Sequence, residues 1–210
     1  MLLFKIFVLL QRKFYRIEIE NICRRNLMTI EKAELKFENQ LIRKLETLGG
    51  VKQWKYEPTI KSTNQLWQNF KNILEENNRD KLDSSLSNGE FAQVKRIISS
   101  LKTPYDAGQF LYGLNGVSQV EVDLDSGKHV YLTVFDQSQI GAGNTRYQVV
   151  NQIERKAVIP GYPDRRFDTT LLINGLPIIQ IEEKSDYHDV DEALNQMHRY
   201  IHEQQYSDIF

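Results

Sequence analysis

Asp168, Glu182 and Lys184 stand at the outer ends of two apolar runs joined by Asn-Gly, in the stretch FDTTLLINGLPIIQIEEK (residues 167–184). Paired as a β-hairpin, the two runs would bring both acids and the lysine to its open end. Carboxylate oxygens are hard donors suited to Mg²⁺, which keeps several waters and takes substrate phosphate beside one or two carboxylates. A cation held there would polarise a phosphodiester, stabilise the charge developing on it and acidify a bound water. The Lys184 ammonium would then hold the attacking water or a phosphate oxygen. That set is sufficient for phosphodiester hydrolysis.

The chemistry makes a demand on register. Side chains alternate across a sheet, so Glu182 and Lys184 share one face and Glu183 takes the other. A strict two-residue Asn174-Gly175 turn pairs Ile173 with Leu176, sets Asp168 opposite Ile181 and turns Glu182 away. A three-residue loop or a one-residue bulge shifts the pairing by one and brings Asp168 and Glu182 to the same face. Gly175, at ease in left-handed backbone, and Pro177 just beyond suit such a longer connection. The bland alternative is a solvated strand end, since Glu-x-Lys is common in a chain that is 26% charged.

The elements that must position this hairpin follow from periodicity. From Thr29, Ala33, Phe37, Leu41, Leu45 and Leu48 recur at helical spacing until Gly49-Gly50 stops the run, with Glu31 and Glu34 near its start. VKQWKYEP reads as a short strand, and STNQLWQNFKNILEENN as a helix with a Ser or Thr cap. SNGEFAQVKRIISSL and TPYDAGQFLYGL read as two more helices, the second with Pro104 in its first turn. After Gly116 the period becomes two: SQVEVDL and HVYLTVF form a hairpin around DSGK, and a Gly-rich loop leads to a strand in GAGNTRYQVVNQIER. HDVDEALNQMHRYIHEQQ is an amphipathic helix whose predicted apolar stripe is Val190, Ala193, Leu194, Met197 and Ile201. Helices, then mostly antiparallel strands, then a helix make an α+β chain. The final SDIF reads as the first residues of a further strand, as in a fragment of a longer protein.

Composition sets the outer bounds. A chain of 210 residues, 40% hydrophobic, suits one domain with an appendage at most. A net charge of −1 and a pI near 6.4 give no sign of nucleic-acid binding. The single Cys23 excludes an internal disulfide and a cysteine zinc site, and points to a reducing compartment, the cytoplasm. Residues 1–27 are basic, and their apolar run from Leu2 to Leu10 is broken by Lys5, short of the roughly 20 residues a membrane span needs. With no cleavage site either, they read as a leader outside the fold, with Met28 as the physiological start and a peripheral membrane anchor as the minority reading. His198 and His202 have metal-ligand spacing but no third ligand and no HExxH, so they read as surface histidines. Trp54, Tyr56 and Trp67 read as packing residues rather than base-stacking ones. Arg146, Lys156, Arg165 and Arg166 fit either a phosphate-facing rim or a solvated loop.

The stretch RRFDTTLLINGLPIIQIEEK followed by ALNQMHRY resembles the N-terminal nuclease domain of the restriction (R) subunit of Type I restriction-modification enzymes, in the PD-(D/E)xK superfamily. RYQVVNQIER and Gln196-x-x-x-Tyr200 support it, over about 28–210 and most specifically over 145–200. The resemblance implies a mixed, mostly antiparallel sheet flanked by helices and preceded by a helical N-terminal segment. It implies a Mg²⁺-dependent endonuclease that cuts double-stranded DNA without sequence specificity of its own, beside modification and specificity subunits and away from any membrane. Asp168 and Glu182 would be the metal acids, with the Glu183 carbonyl as a further ligand, and Lys184 the catalytic lysine. Gln196 and Tyr200 would position DNA or the catalytic groups, and Glu38 would match an acid on the first helix.

This sequence departs from the family pattern in places. Glu183 occupies a usually apolar position, so either the strand ends there or Glu183 is paired. Phe167 replaces the motif proline, and the literal Pro163-Asp164 lies 18 residues before Glu182, which favours Asp168. Complete R subunits use ATP in motor domains, yet nothing here fits G-x-x-x-x-G-K-[ST]. The alternatives are a truncated, non-catalytic module that only docks onto partner subunits or DNA, and a stand-alone repair or junction nuclease.

Overall fold

The change of period at Gly116 separates a helical half from a strand-rich half. The computed structural model describes residues 30–48, 53–183 and 190–210; the leader 1–27 and Lys184 lie outside the described residues. Helix α1 (Ile30–Thr47), strand β1 (Trp54–Tyr56) and helices α2 (Thr63–Asn77), α3 (Asn88–Ser99) and α4 (Pro104–Tyr112) come first. Strands β2 (Val117–Asp123) and β3 (His129–Asp136) follow, then short α5 (Ser138–Ala142), β4 (Tyr147–Arg155), β5 (Arg165–Ile173), β6 (Leu176–Ile181) and α6 (Val190–His202). Helix starts are set by side-chain caps. The Ser62 hydroxyl accepts from the Gln65 amide, and Ser87 with Glu90 and Thr103 with Asp106 form reciprocal capping boxes.

Among the described residues the strands form a four-stranded sheet in the order β1-β4-β5-β6 and a separate β2-β3 hairpin. β1 runs parallel to β4, and the β4-β5 and β5-β6 pairs are antiparallel. The molecule is therefore α+β, with a mixed sheet flanked by helices, consistent with a restriction-endonuclease-like core. Leu66, Phe70 and Leu74 of α2 build the larger hydrophobic cluster with Val150, Ile153 and Leu172 of the sheet. Ile42 of α1 closes a smaller one with Val149, Leu171 and Ile181. No described helix is long and apolar enough to cross a membrane.

Several expectations are corrected here. Leu48 lies just past α1 and is exposed, while Ile42 and Glu38 of α1 turn inward. On α6 the buried stripe is Ala193, Met197 and Tyr200, and Leu194 and Ile201 are exposed. That helix is rotated so that its mixed edge, not its most apolar one, faces the protein. The glycine-rich loop before β4 holds a helical turn, α5, ended by left-handed Gly143. Ile209 and Phe210 start no strand within the chain: they form a turn buried against Phe167, whose ring centroid lies 4.8 Å from that of Phe210.

Candidate active site

The hairpin is closed by a two-residue turn. Asn174 and Gly175 both adopt positive φ (49° and 81°), and Ile173 pairs with Leu176. Left alone, this turn gives the register that separates the two acids. Leu172 still pairs with Pro177, but Leu171 pairs with Ile179, so Ile178 is an extra residue and the register shifts by one. Pro177 has no N–H to give a ladder, which suits it to such an irregularity. From there Thr170 faces Gln180 and Thr169 faces Ile181. Continued one residue past the end of β6, this register would set Asp168 against Glu182.

At that open end the acids are held by short contacts. Asp168 Oδ2 accepts the Glu183 main-chain N–H at 2.9 Å. Glu182 Oε2 accepts from Gln196 Nε2 at 2.7 Å, and the same nitrogen donates to the Tyr200 hydroxyl at 2.7 Å. Tyr200 in turn donates to the Arg166 carbonyl at 3.4 Å. Burial, and then the charge of Glu182 with a smaller share from Asp168, pushes the Tyr200 phenol far up, so it stays protonated as a donor. Tyr206 beside it is raised by burial and by the same two carboxylates. Asp168 on the Glu183 amide and Glu182 on the Gln196 side chain thus both sit at the open end of the hairpin.

Glu183 is explained twice over. β6 ends at Ile181, and the buried Glu183 carboxylate accepts from Thr169 Oγ1 at 2.8 Å. The charge on the core side is both past the strand end and paired.

Glu38 enters from α1. It is 2% exposed, and its Oε1 accepts from Gln152 Nε2 at 2.9 Å. Its other oxygen, Oε2, has no partner in hydrogen-bonding geometry. Burial raises the Glu38 carboxyl and the Asp168 charge raises it further, while Gln152, Asn151 and Lys61 pull it down. Gln152, which holds Glu38, is bracketed by the β4-β5 pairs on either side of Asp168, and the Asp168 charge reaches Glu38. Sequence periodicity gave no hint of it, because Glu38 lies off the apolar stripe; only the family resemblance pointed there. Gln152, Asn151, Tyr56 and Lys61, which surround it, were missed as site residues. The signal available was a polar Asn-Gln pair in the middle of an otherwise buried strand.

Of the basic residues read as either a phosphate-facing rim or a solvated loop, most are paired with acids. Arg165 Nε donates to Glu203 Oε2 at 2.6 Å, Arg146 meets Glu76 at 2.5 Å and Lys156 meets Asp164 at 2.6 Å, leaving Arg166 exposed. Asp164, of the literal Pro-Asp, is thus the partner of Lys156. His198 and His202 are exposed, as expected. Trp67 is buried and Trp54 packs edge-on against Tyr147 at 5.2 Å, so both are packing residues. Tyr56 goes beyond packing, since its hydroxyl donates to Asn151 Oδ1 at 2.8 Å. Among the described residues no group of three His, Cys, Asp or Glu side chains is poised to hold an ion unaided. What is present, two carboxylates at one hairpin end and a buried Glu38 oxygen without a hydrogen-bond partner, fits a hard cation that completes its shell with water and phosphate.

The family model described as Type I restriction enzyme R protein N terminus matches residues 31–210. The chain belongs to this family. As an R-protein N terminus it is 32% identical over 180 residues to the endonuclease subunit of a Type I restriction enzyme of Staphylococcus aureus, covering 85% of this chain and 17% of that protein. A Staphylococcus saprophyticus endonuclease subunit is 30% identical over 86% of this chain and 18% of its own length. The EcoprrI endonuclease subunit of Escherichia coli is 28% identical over 79% of this chain and 48% of its own. The R-protein N terminus thus spans about a sixth of the staphylococcal subunits it matches.

Proposed function

We propose that this R-protein N terminus, over residues 28–210, is the DNA-cleaving module of a Type I restriction system. In this reading Asp168 and Glu182 hold Mg²⁺, with the Glu183 carbonyl and Glu38 as supporting oxygens. The cation would supply charge stabilisation at the phosphodiester and an acidified water. Lys184 holds the attacking water or a phosphate oxygen. Gln196 fixes the Glu182 carboxylate at Oε2, with Gln180 Nε2 3.5 Å from Oε1, and is itself fixed by the neutral Tyr200 hydroxyl, so the acid is held in a set direction. The bulge at Ile178 carries the reading, because without it Glu182 would face away from Asp168. No base-reading element is needed, since double-stranded DNA would be delivered by the modification and specificity subunits of a cytoplasmic assembly. ATP would serve only the motor portions of a complete R subunit.

The test is nicking of supercoiled plasmid by the 210-residue chain with Mg²⁺ or Mn²⁺. Asp168→Ala, Glu182→Ala and Lys184→Ala should each abolish cleavage with unchanged circular dichroism. Full activity in all three ends the proposal. DNA retention with no cleavage by the wild type would favour the docking module instead.

A further inference from the structure

β4 does not run as an even strand. Val149 packs in the α1-side cluster and Val150 in the larger one, yet Ile153, three residues on, lies with Val150 again. The alternation slips at Gln152, whose φ is 54°. A non-glycine side chain in left-handed backbone is strained and persists only where its surroundings over-determine it. Here they do. Lys61 Nζ donates to the Asn151 carbonyl at 2.8 Å and also to Asn151 Oδ1, which receives the Tyr56 hydroxyl as well. On the far side of Gln152, the Glu154 amide donates to the Lys61 carbonyl at 2.8 Å. The segment after β1 therefore grips β4 on both sides of the strained residue. Asn151 pairs with Thr169 and Ile153 with Phe167, which brackets Gln152 opposite Asp168. The product of the slip is the Gln152 amide on Glu38 Oε1 at 2.9 Å, with the partnerless Oε2 beside the Asp168 charge.

We infer that Gln152, held left-handed by Lys61 and Tyr56 through Asn151, is a positioning residue that fixes Glu38 beside Asp168 as an additional oxygen donor to the divalent cation. This rests on the metal-site reading above. The strain gives the role a signature that a merely structural glutamine lacks. Gln152→Gly removes the conformational penalty while losing the amide, so stability and metal affinity should move in opposite senses.

The experiment is calorimetric titration of Mn²⁺ into the 210-residue chain, with thermal unfolding in metal-free buffer alongside. Gln152→Gly should unfold no lower than wild type yet bind Mn²⁺ about tenfold more weakly, the size expected when a group orienting a metal ligand is lost. Lys61→Met should weaken binding comparably, and Lys61→Arg should restore it. A Gln152→Gly affinity within about twofold of wild type overturns the inference; should that variant not fold, an unchanged Lys61→Met overturns it. Asp168→Ala is measured in parallel. Its loss of binding beside an unaffected Gln152→Gly removes this inference alone, whereas unchanged binding in Asp168→Ala brings down the metal site and the inference together.

Discussion

The two ends of the β5-β6 hairpin are built from the same two strands and solve opposite problems. At the closed end every demand is met internally. Asn174 exchanges main-chain and side-chain hydrogen bonds with Arg146 and donates from Nδ2 to the Val134 carbonyl, while Gly175 lies so close to α2 that a Cβ would come within 2.8 Å of Phe70 Cα. At the open end acidic side chains gather. Asp168 and Glu182 bear together on Tyr200 and Tyr206, and a buried Glu38 keeps one oxygen without a hydrogen bond. On the metal-site proposal, a cation from outside the chain would complete the shell of that Glu38 oxygen. The bulge at Ile178 separates the two regimes, leaving the tight turn intact while resetting the pairing beyond it.

Breaking the ends separately should therefore break different properties. The largest effect is at the open end. Asp168→Ala or Glu182→Ala should lower plasmid cleavage at least ~10³-fold, about 4 kcal/mol of barrier, with an unfolding temperature within about 2–4 °C of wild type. Next is the closed end, where Gly175→Ala forces a Cβ into left-handed backbone and against Phe70. It should cost roughly 2–3 kcal/mol in urea unfolding while the remaining folded protein still cleaves at low temperature. A Gly175→Ala variant that stays stable but loses cleavage would erase the division of labour.

Gln196→Ala sharpens the comparison, because it removes a contact that points the Glu182 carboxylate without supplying a ligand. We expect about a tenfold fall in cleavage, partly recovered at high Mn²⁺. The smallest effect concerns Glu38 and pH. Its folded carboxyl is raised above the ordinary value of 4.5, so between the two values the native state binds more protons than the unfolded chain. Stability of the metal-free protein should fall as pH rises through that window, and Glu38→Gln should flatten the decline in thermal melts. Saturating Mn²⁺ should flatten it in the wild type as well. A Glu38→Gln melt with the wild-type slope would remove the α1 acid from the charged end.

The sequence showed the closed end more fully than the open one. Asn174-Gly175 is a local signal, and the period of two on either side fixes the strands around it. Whether Asp168 meets Glu182 turns on a single inserted residue at Ile178, and the pattern could state only that such an insertion was required. Gln196 and Tyr200 were indicated only by the resemblance to the family's Gln-x-x-x-Tyr pattern, and the exposed positions of Leu194 and Ile201 show that apolar periodicity did not give the facing of their helix. Glu38 and Gln152 come to the site from elements far apart in the chain, and the left-handed backbone at Gln152 leaves no mark in hydrophobic periodicity. Contacts set by backbone exceptions and by docking of distant elements were the part that pattern could not supply. Lys184 was legible as an ammonium at the right spacing, and its role stands as a proposal.

The most direct test of the central claim is a crystal structure of the 210-residue chain grown with Mn²⁺, read by anomalous scattering. The claim predicts one strong peak between the carboxylates of Asp168 and Glu182, with Glu38 on its flank. A fully occupied ion bound elsewhere, with those two carboxylates turned apart, would contradict it.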